Sequence, residues 1–245
     1  MGSVIVITSG KGGTGKTTLT GGIGAGLATL GRSVLCIDAD IGLRNLDIAL
    51  GMTDTVLMDF TDVMEGRCSL DRAAAPHPAI PNLSLLTAPL TIREPLREDG
   101  FRALLAEARK HYDDILVDSP AGFGAGFRLA VCGADRAIVV ATGDSASLRD
   151  AQRTVGQLSS YISDIRLVVN RVQPKLLRRL GETIDDVMDA TGLPLLGIVP
   201  EDPQVVLAAH SGRALMQTER KGAAVACLNI AKRMAGRQIP LMKIR

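Results

Sequence analysis

Aromatic side chains are scarce in this chain: they make up 2 % of its residues, and tryptophan does not occur. A surface that stacks single-stranded bases on aromatic rings is therefore excluded. Charge of one sign is equally scarce, since 28 Lys and Arg stand against 26 Asp and Glu for a formal net charge of +2. That balance gives no strong nucleic-acid signal and leaves only local Lys/Arg patches for nonspecific contact. The four cysteines, Cys36, Cys68, Cys132 and Cys227, form no C-x-x-C pair. Cys36 lies in an apolar strand and Cys227 on an apolar helix stripe, which reads as small buried hydrophobes in a reducing compartment. Cys68 and Cys132 stay unassigned.

Targeting signals are lacking as well. Val6 stands where N-myristoylation asks for Ser or Thr, and the first apolar segment runs straight into a glycine-rich loop, unlike a signal peptide. A cytoplasmic protein is expected, in which the Asn82-Leu83-Ser84 sequon is a chance match. Linkers, repeats and low-complexity segments are also missing, so one domain over residues 1–236 with a short tail, 237–245, is expected.

What the chain does have is the run Gly10 to Thr17, GKGGTGKT, a match to G-x-x-x-x-G-K-[ST] placed directly after the apolar run Val4 to Thr8. A buried strand that empties into glycines before a helix lets backbone N–H groups close around phosphate oxygens. Gly12, Gly13 and Gly15 permit close approach and positive φ. Lys16 is placed to neutralise β and γ phosphates, and the Thr17 hydroxyl to coordinate Mg²⁺. The whole stretch Gly10, Lys11, Gly12, Gly13, Thr14, Gly15, Lys16, Thr17 and Thr18 is thus a candidate site for ATP and Mg²⁺. Lys11 is a second lysine inside the loop, where the general pattern asks for none.

At 245 residues and 46 % hydrophobic content the chain can bury a large core. Apolar runs at Val34–Asp38, Leu83–Thr87, Ile115–Asp118, Ala137–Thr142, Leu167–Asn170 and Leu195–Val199 read as strands. Helical patterns fall at Lys16–Leu30, Phe101–Lys110, Ala146–Tyr161, Glu182–Ala190 and Ala223–Ala235. Such alternation predicts an α/β fold with a doubly wound, mainly parallel sheet covered on both faces. Ligands bind outside the carboxyl ends of such strands. Two acidic groups stand there, Asp38 and Asp40 after the second strand and Asp118 in Asp118-Ser119-Pro120-Ala121-Gly122. A carboxylate ending an apolar strand answers to a cation, and the Mg²⁺ at Thr17 is the nearest. Asp118 and Asp40 are candidate metal-side groups, with one of Asp38 and Asp40 expected to hold structure. Gly122 is suited to offer its N–H to a γ-phosphate.

SGKGGTGKTT, IDADIGLRNLD, DSPAG and IVPED together resemble the MinD branch of the MinD/ParA family of deviant Walker A ATPases. These motifs span most of the chain, and IGLRN with DSPAG is more specific than the phosphate loop. The resemblance implies slow ATP hydrolysis, an ATP-dependent homodimer, and an activator or effector protein of the MinC or MinE type. By it, Lys11, Lys16 and Asp40 are the catalytic set. Lys11 matches the signature lysine that reaches the partner subunit's phosphates, with added positive potential in its own loop as the alternative. Asp40 matches the switch aspartate at the attacking water and metal, while Asn170, Pro200, Glu201 and Asp202 match the adenine side. Asp144 or Ser145 would cap a helix whose Arg149, Asp150 and Arg153 form either a partner face or a solvated one. The ending departs from the pattern: Pro240 precludes a continuous amphipathic helix. Leu241, Met242 and Ile244 alternate with Lys243 and Arg245, leaving a weak membrane contact or a packed or loose tail as alternatives. Related tasks also fit the family: flagellar number control, plasmid or chromosome partitioning, iron–sulfur carriage, or a non-catalytic nucleotide-binding scaffold.

Overall fold

The computed structural model describes residues 1–53, 58–91, 96–181 and 183–242. The strands are β1 (Ser3–Thr8), β2 (Val34–Asp38), β3 (Ala75–Pro76), β4 (Leu83–Leu86), β5 (Asp114–Asp118), β6 (Arg136–Ala141), β7 (Asp164–Val172) and β8 (Leu195–Pro200). They form one sheet in the order β3-β4-β2-β5-β1-β6-β7-β8. Every pairing is parallel except that of β3 with β4. The central strands are apolar along their whole length because both faces are covered. Val4, Val6, Val117 and Val139 enter one core layer, against Phe101, Leu105, Phe127 and Leu158. Ile5, Ile7, Cys36 and Leu116 enter the other, against Leu19, Ile23, Cys227 and Ile230.

The second layer rests on two helices, Lys16–Thr29 and Gly222–Met234. Lys16–Thr29 carries Gly21, Gly22, Gly24 and Gly26, a composition that disfavours a helix in isolation. Packing supplies what propensity lacks. A Cβ on Gly22 would sit 2.8 Å from Cys227 Sγ, and one on Gly24 would collide with Cys36 Sγ. Glycine lets the helix lie directly on the strand and on its neighbour.

The chain passes from β1 to β2 on one side of the sheet and, after β5, crosses to β6 on the other side of β1. The loop after β1 therefore opens into the crevice where the connections diverge, the usual ligand position in such sheets.

Differences from the sequence expectations are local. β7 begins earlier and ends later than predicted, and its partner β8 pairs with it through two register shifts. The short helices Leu46–Leu50, Phe60–Met64, Leu70–Ala73, Ala125–Val131, Pro174–Leu180 and Gln204–His210 were not predicted. Their few residues give periodicity too little to act on. Glu182, the expected start of a helix, lies outside the described residues; the helix there is Ile184–Thr191, opened by a Thr183/Asp186 capping box. Of the tail, Lys243, Ile244 and Arg245 lie outside the described residues. Among the described residues no helix is long and apolar enough to cross a membrane.

Candidate functional site

Ser9, buried at the end of β1, organises the loop that follows. Its Oγ donates to the Lys11 carbonyl at 2.7 Å and accepts from Thr14 Oγ1 at 2.9 Å. Lys16 Nζ donates to Ser9 Oγ at 3.1 Å and to the Lys11 carbonyl at 3.2 Å. Lys16 is only 7 % exposed, and burial lowers its pKa while Asp118 and Asp40 pull the other way. Gly13 and Gly15 adopt φ of 78° and 93°, the left-handed region that favours glycine; Gly12 does not. A side chain on Gly15 would run into the Asn170 amide, and a Cβ on Gly10 would lie 2.6 Å from the Asp150 carbonyl. Gly15 caps the helix Lys16–Thr29 with no side-chain hydrogen bond. Its first-turn N–H groups are open to an anion.

The carboxylates lie at the same edge with different tasks. Asp38 and Asp118 are register partners on β2 and β5, both buried. Asp38 accepts from the backbone N–H of Asp40 at 2.9 Å and of Leu46 at 3.0 Å, so it shapes the loop that carries Asp40. Burial raises its pKa to about 6 despite those bonds. Asp118 accepts from Thr17 Oγ1 at 2.6 Å and from Thr20 Oγ1 at 3.2 Å. Burial pushes its pKa to about 7, the Thr17 bond opposing and Asp38 reinforcing the shift. Asp40 stays partly exposed, its pKa raised by burial and lowered by Lys16.

A cleft of about 360 Å³ opens over these groups, lined by Gly12, Gly13, Lys16, Thr17, Thr18 and Asp40 among others. A smaller adjoining pocket is bounded by Gly15, Thr18, Asn170, Pro200, Glu201 and Asp202. Asn170 donates to the Thr14 carbonyl at 2.8 Å, tying that side to the loop. Asp202 accepts from the N–H of Gln204 and of Ala223, both at 2.9 Å, and so braces the pocket wall. Lys11 and Thr14 face a third cleft with Thr142 and Asp144. Gly122 has φ of 80°; its neighbour Ala121 lines the main cleft, and Gly122 itself does not.

Lys11 turns away from Lys16. Its Nζ lies 3.1 Å from Asp144 Oδ1, the residue that caps the helix Ser145–Leu158 by accepting from Ser147 N at 2.9 Å. Burial alone would raise the Asp144 pKa, but hydrogen bonds from Thr142, Ser147 and Lys11 bring it down to about 2. Both partners are substantially exposed, so the pair is weak and exchangeable.

Oxygen donors dominate the metal side. Thr17, Asp118 and Asp40 suit Mg²⁺, which takes oxygen ligands and keeps waters. Among the described residues no group of three His, Cys, Asp or Glu could hold a metal unaided; phosphate oxygens would complete the shell.

Several residues at the site escaped the sequence reading. Ser9 and Thr20 are small hydroxyls; the spacing of Thr20 from Lys16 and Thr17, one helical turn, was a usable signal. Arg171, at φ 55°, lines the main cleft and both neighbouring ones. Its position next to Asn170 was the available clue.

A family model described as the CobQ/CobB/MinD/ParA nucleotide binding domain matches residues 5–215. The chain is 38 % identical to the septum site-determining protein MinD of Synechocystis sp. over 99 % of its own length and 92 % of that relative. Among solved structures it resembles the MinC:MinD cell division protein complex of Aquifex aeolicus, with TM-score 0.91, 39 % identity and 98 % of each chain covered. It also resembles the septum site-determining protein MinD of Pyrococcus horikoshii complexed with Mg-ADP, with TM-score 0.83, 26 % identity and 96 % of each chain covered.

Proposed function

The chain belongs to the MinD/ParA family of nucleotide-binding proteins, and from that premise we propose that it is an ATP-dependent dimerising switch of the MinD kind, acting in septum placement. ATP and Mg²⁺ are its ligands, as the Mg-ADP complex of the Pyrococcus horikoshii relative supports. Residues 1–236 work as one ATPase unit, with 237–245 as its tail. The observation that carries the reading is the separation of the two loop lysines. Lys16 is buried inside the loop, whereas Lys11 stands at the rim in an exchangeable pair with Asp144.

Phosphoryl transfer needs positioning and charge neutralisation more than covalent chemistry. Lys16 and the open N–H groups of the helix hold the phosphates, and Thr17 with Asp118 holds the metal side. Asp40, on the loop fixed by Asp38, orients the attacking water. Asn170, Pro200, Glu201 and Asp202 bound the base, and Gly122 offers an N–H to the terminal phosphate. Lys11 leaves Asp144 and reaches the second subunit's phosphates, as an arginine finger does. Leu43, Ile48, Leu90, Val206 and Leu207 are exposed apolar side chains on loops and short helices at this edge, which suits burial in a two-fold dimer.

Similarity to the MinC:MinD complex supports a MinC-type partner. Exposed Arg149 and Arg153 on the helix capped by Asp144 supply a face for it or for a MinE-type activator that speeds hydrolysis. The protein works in the cytoplasm, with the dimer resting weakly on the inner face of the membrane.

Size exclusion with light scattering, with and without ATP, tests the reading. Wild type should dimerise with ATP and hydrolyse it slowly, and Lys16→Ala should do neither while staying folded. Unchanged turnover in Lys16→Ala would refute it.

A further inference from the structure

At the end of the sheet away from the phosphate loop, β6, β7 and β8 begin beside the end of the helix Gly222–Met234. There a cavity of about 300 Å³ is lined by Ile5, Ile138, Leu196 and Met234, and by Arg136, Arg166, Arg233 and Asp164. Three guanidiniums against one carboxylate leave a formal charge of +2 on its walls. Arg136 and Asp164 are register partners, and Arg166 sits beside Ile138 one step along the same face. Asp164 is shared: its Oδ2 lies 3.3 Å from Arg136 Nε and its Oδ1 2.7 Å from Arg166 Nε. Each arginine meets it through Nε, Arg166 by a hydrogen bond and Arg136 as an ion pair. Among the described residues their terminal nitrogens carry no hydrogen bond.

Arg233 is held differently. It donates to the carbonyls of Leu196 and Ile239 at 3.0 Å and of Pro240 at 2.6 Å, strapping the tail to the body, and among the described residues it meets no carboxylate. Asp135, the neighbour of Arg136 in the chain, also feels the charge of Arg136, but its two oxygens accept from the terminal nitrogens of Arg109. Guanidinium forks with free terminal nitrogens match phosphate oxygens two at a time, and an apolar floor strengthens such bonds.

We propose that this cavity is an anion site for a phosphate group, bound by the forks of Arg136 and Arg166, with Arg233, held on carbonyls beside the tail, adding positive charge. The ligand chemistry is a phosphate ester, borne by a lipid headgroup or by a small soluble molecule. The site does not rest on the nucleotide reading, since it lies at the other end of the sheet from the phosphate loop.

The test uses the full chain. Arginine Nε–H signals are followed by NMR during titration with inorganic phosphate and with glycerophosphoglycerol. In parallel, the protein is sedimented with vesicles of phosphatidylglycerol or of phosphatidylcholine. Saturable shifts of the Arg136, Arg166 and Arg233 signals are expected, with affinity falling about tenfold or more in Arg136→Gln and Arg166→Gln and ATP binding unchanged. Loss of phosphatidylglycerol sedimentation in the double variant identifies a headgroup site; loss of the soluble titration alone identifies a free phosphate ester. Shifts that do not saturate with either anion, or that persist equally in the double variant, overturn the proposal. If the variants fail to fold, the wild-type titration decides it alone.

Discussion

Replacing Asp118 by Asn should flatten the pH dependence of Mg²⁺-nucleotide binding and raise the thermal stability of the nucleotide-free protein at pH 8. Burial holds this carboxyl at about 7 rather than 3.8, with Thr17 and Lys16 pulling down and Asp38 pushing up. A group titrating there is about 9 % ionised at pH 6 and about 91 % at pH 8, so Mg²⁺-dependent affinity should rise about tenfold between them. The nucleotide's own titration is common to both proteins, so the difference in slope isolates the carboxylate. For stability the sign is fixed by the raised folded value. The unfolded chain ionises first, so the fold loses stability as pH climbs from about 4 to about 7 and does not regain it above. The gap between 3.8 and about 7 sets an upper bound of about 4 kcal/mol. Asp38 titrates beside it near 6, so about 1–3 kcal/mol of gain is expected for Asp118→Asn. The asparagine Oδ1 still accepts from Thr17, while its Nδ2 stands where the other oxygen was and donates to Thr20 Oγ1, whose own proton goes to the Lys16 carbonyl. Calorimetric titration from pH 6 to 8.5 and thermal unfolding at pH 8 measure both effects. Equal slopes in the two proteins, or a lower melting temperature for Asp118→Asn, would refute the reasoning.

Three further outcomes follow from the geometry. With ATP, Lys11→Ala should remain monomeric by light scattering, whereas Asp40→Ala should bind ATP, hydrolyse it poorly and accumulate as dimer; two monomeric variants would remove the trans role of Lys11. Gly15→Ala should cripple nucleotide binding, because its φ of 93° and the Asn170 amide leave no room, whereas Gly31→Ala, at φ 86° in open space, should cost about 1 kcal/mol of stability and keep affinity. Removing residues after Gly236 should lower ATP-dependent sedimentation with anionic vesicles and its salt sensitivity while ATP hydrolysis survives.

The shape of the glycine-rich loop was legible because it is contiguous: eight residues from the end of a strand into the first turn of a helix specify backbone shape and charge together. The parallel sheet was legible for a related reason, since strands buried on both faces show as unbroken apolar runs. Contacts between distant segments were not. Nothing in Asp144 itself marks it as the partner of Lys11, 133 positions away, and nothing in Arg136 and Arg166 shows that they flank one carboxylate. Asp38 and Asp40 were read as a pair with divided roles, but which one shapes the loop depended on where β2 ends. Arg171 was passed over because a lone arginine after a strand is usually a solvated end.

The glycine-rich helix behind the phosphate loop is wedged between β2, β5 and the last helix, with sulfur atoms of Cys36 and Cys227 filling the space its missing side chains leave. It has no free face along which to slide or tilt. The loop it carries is therefore an anvil, and on the proposed reading any motion that a terminal phosphate triggers is taken up sideways, by the segments around Asp40, Gly122 and Asp144. The wedge also ties residues far apart in the chain into exchange pairs. A larger residue at position 22 requires a smaller one at 227, and a larger one at 24 a smaller one at 36, so drift at these sites must come in couples.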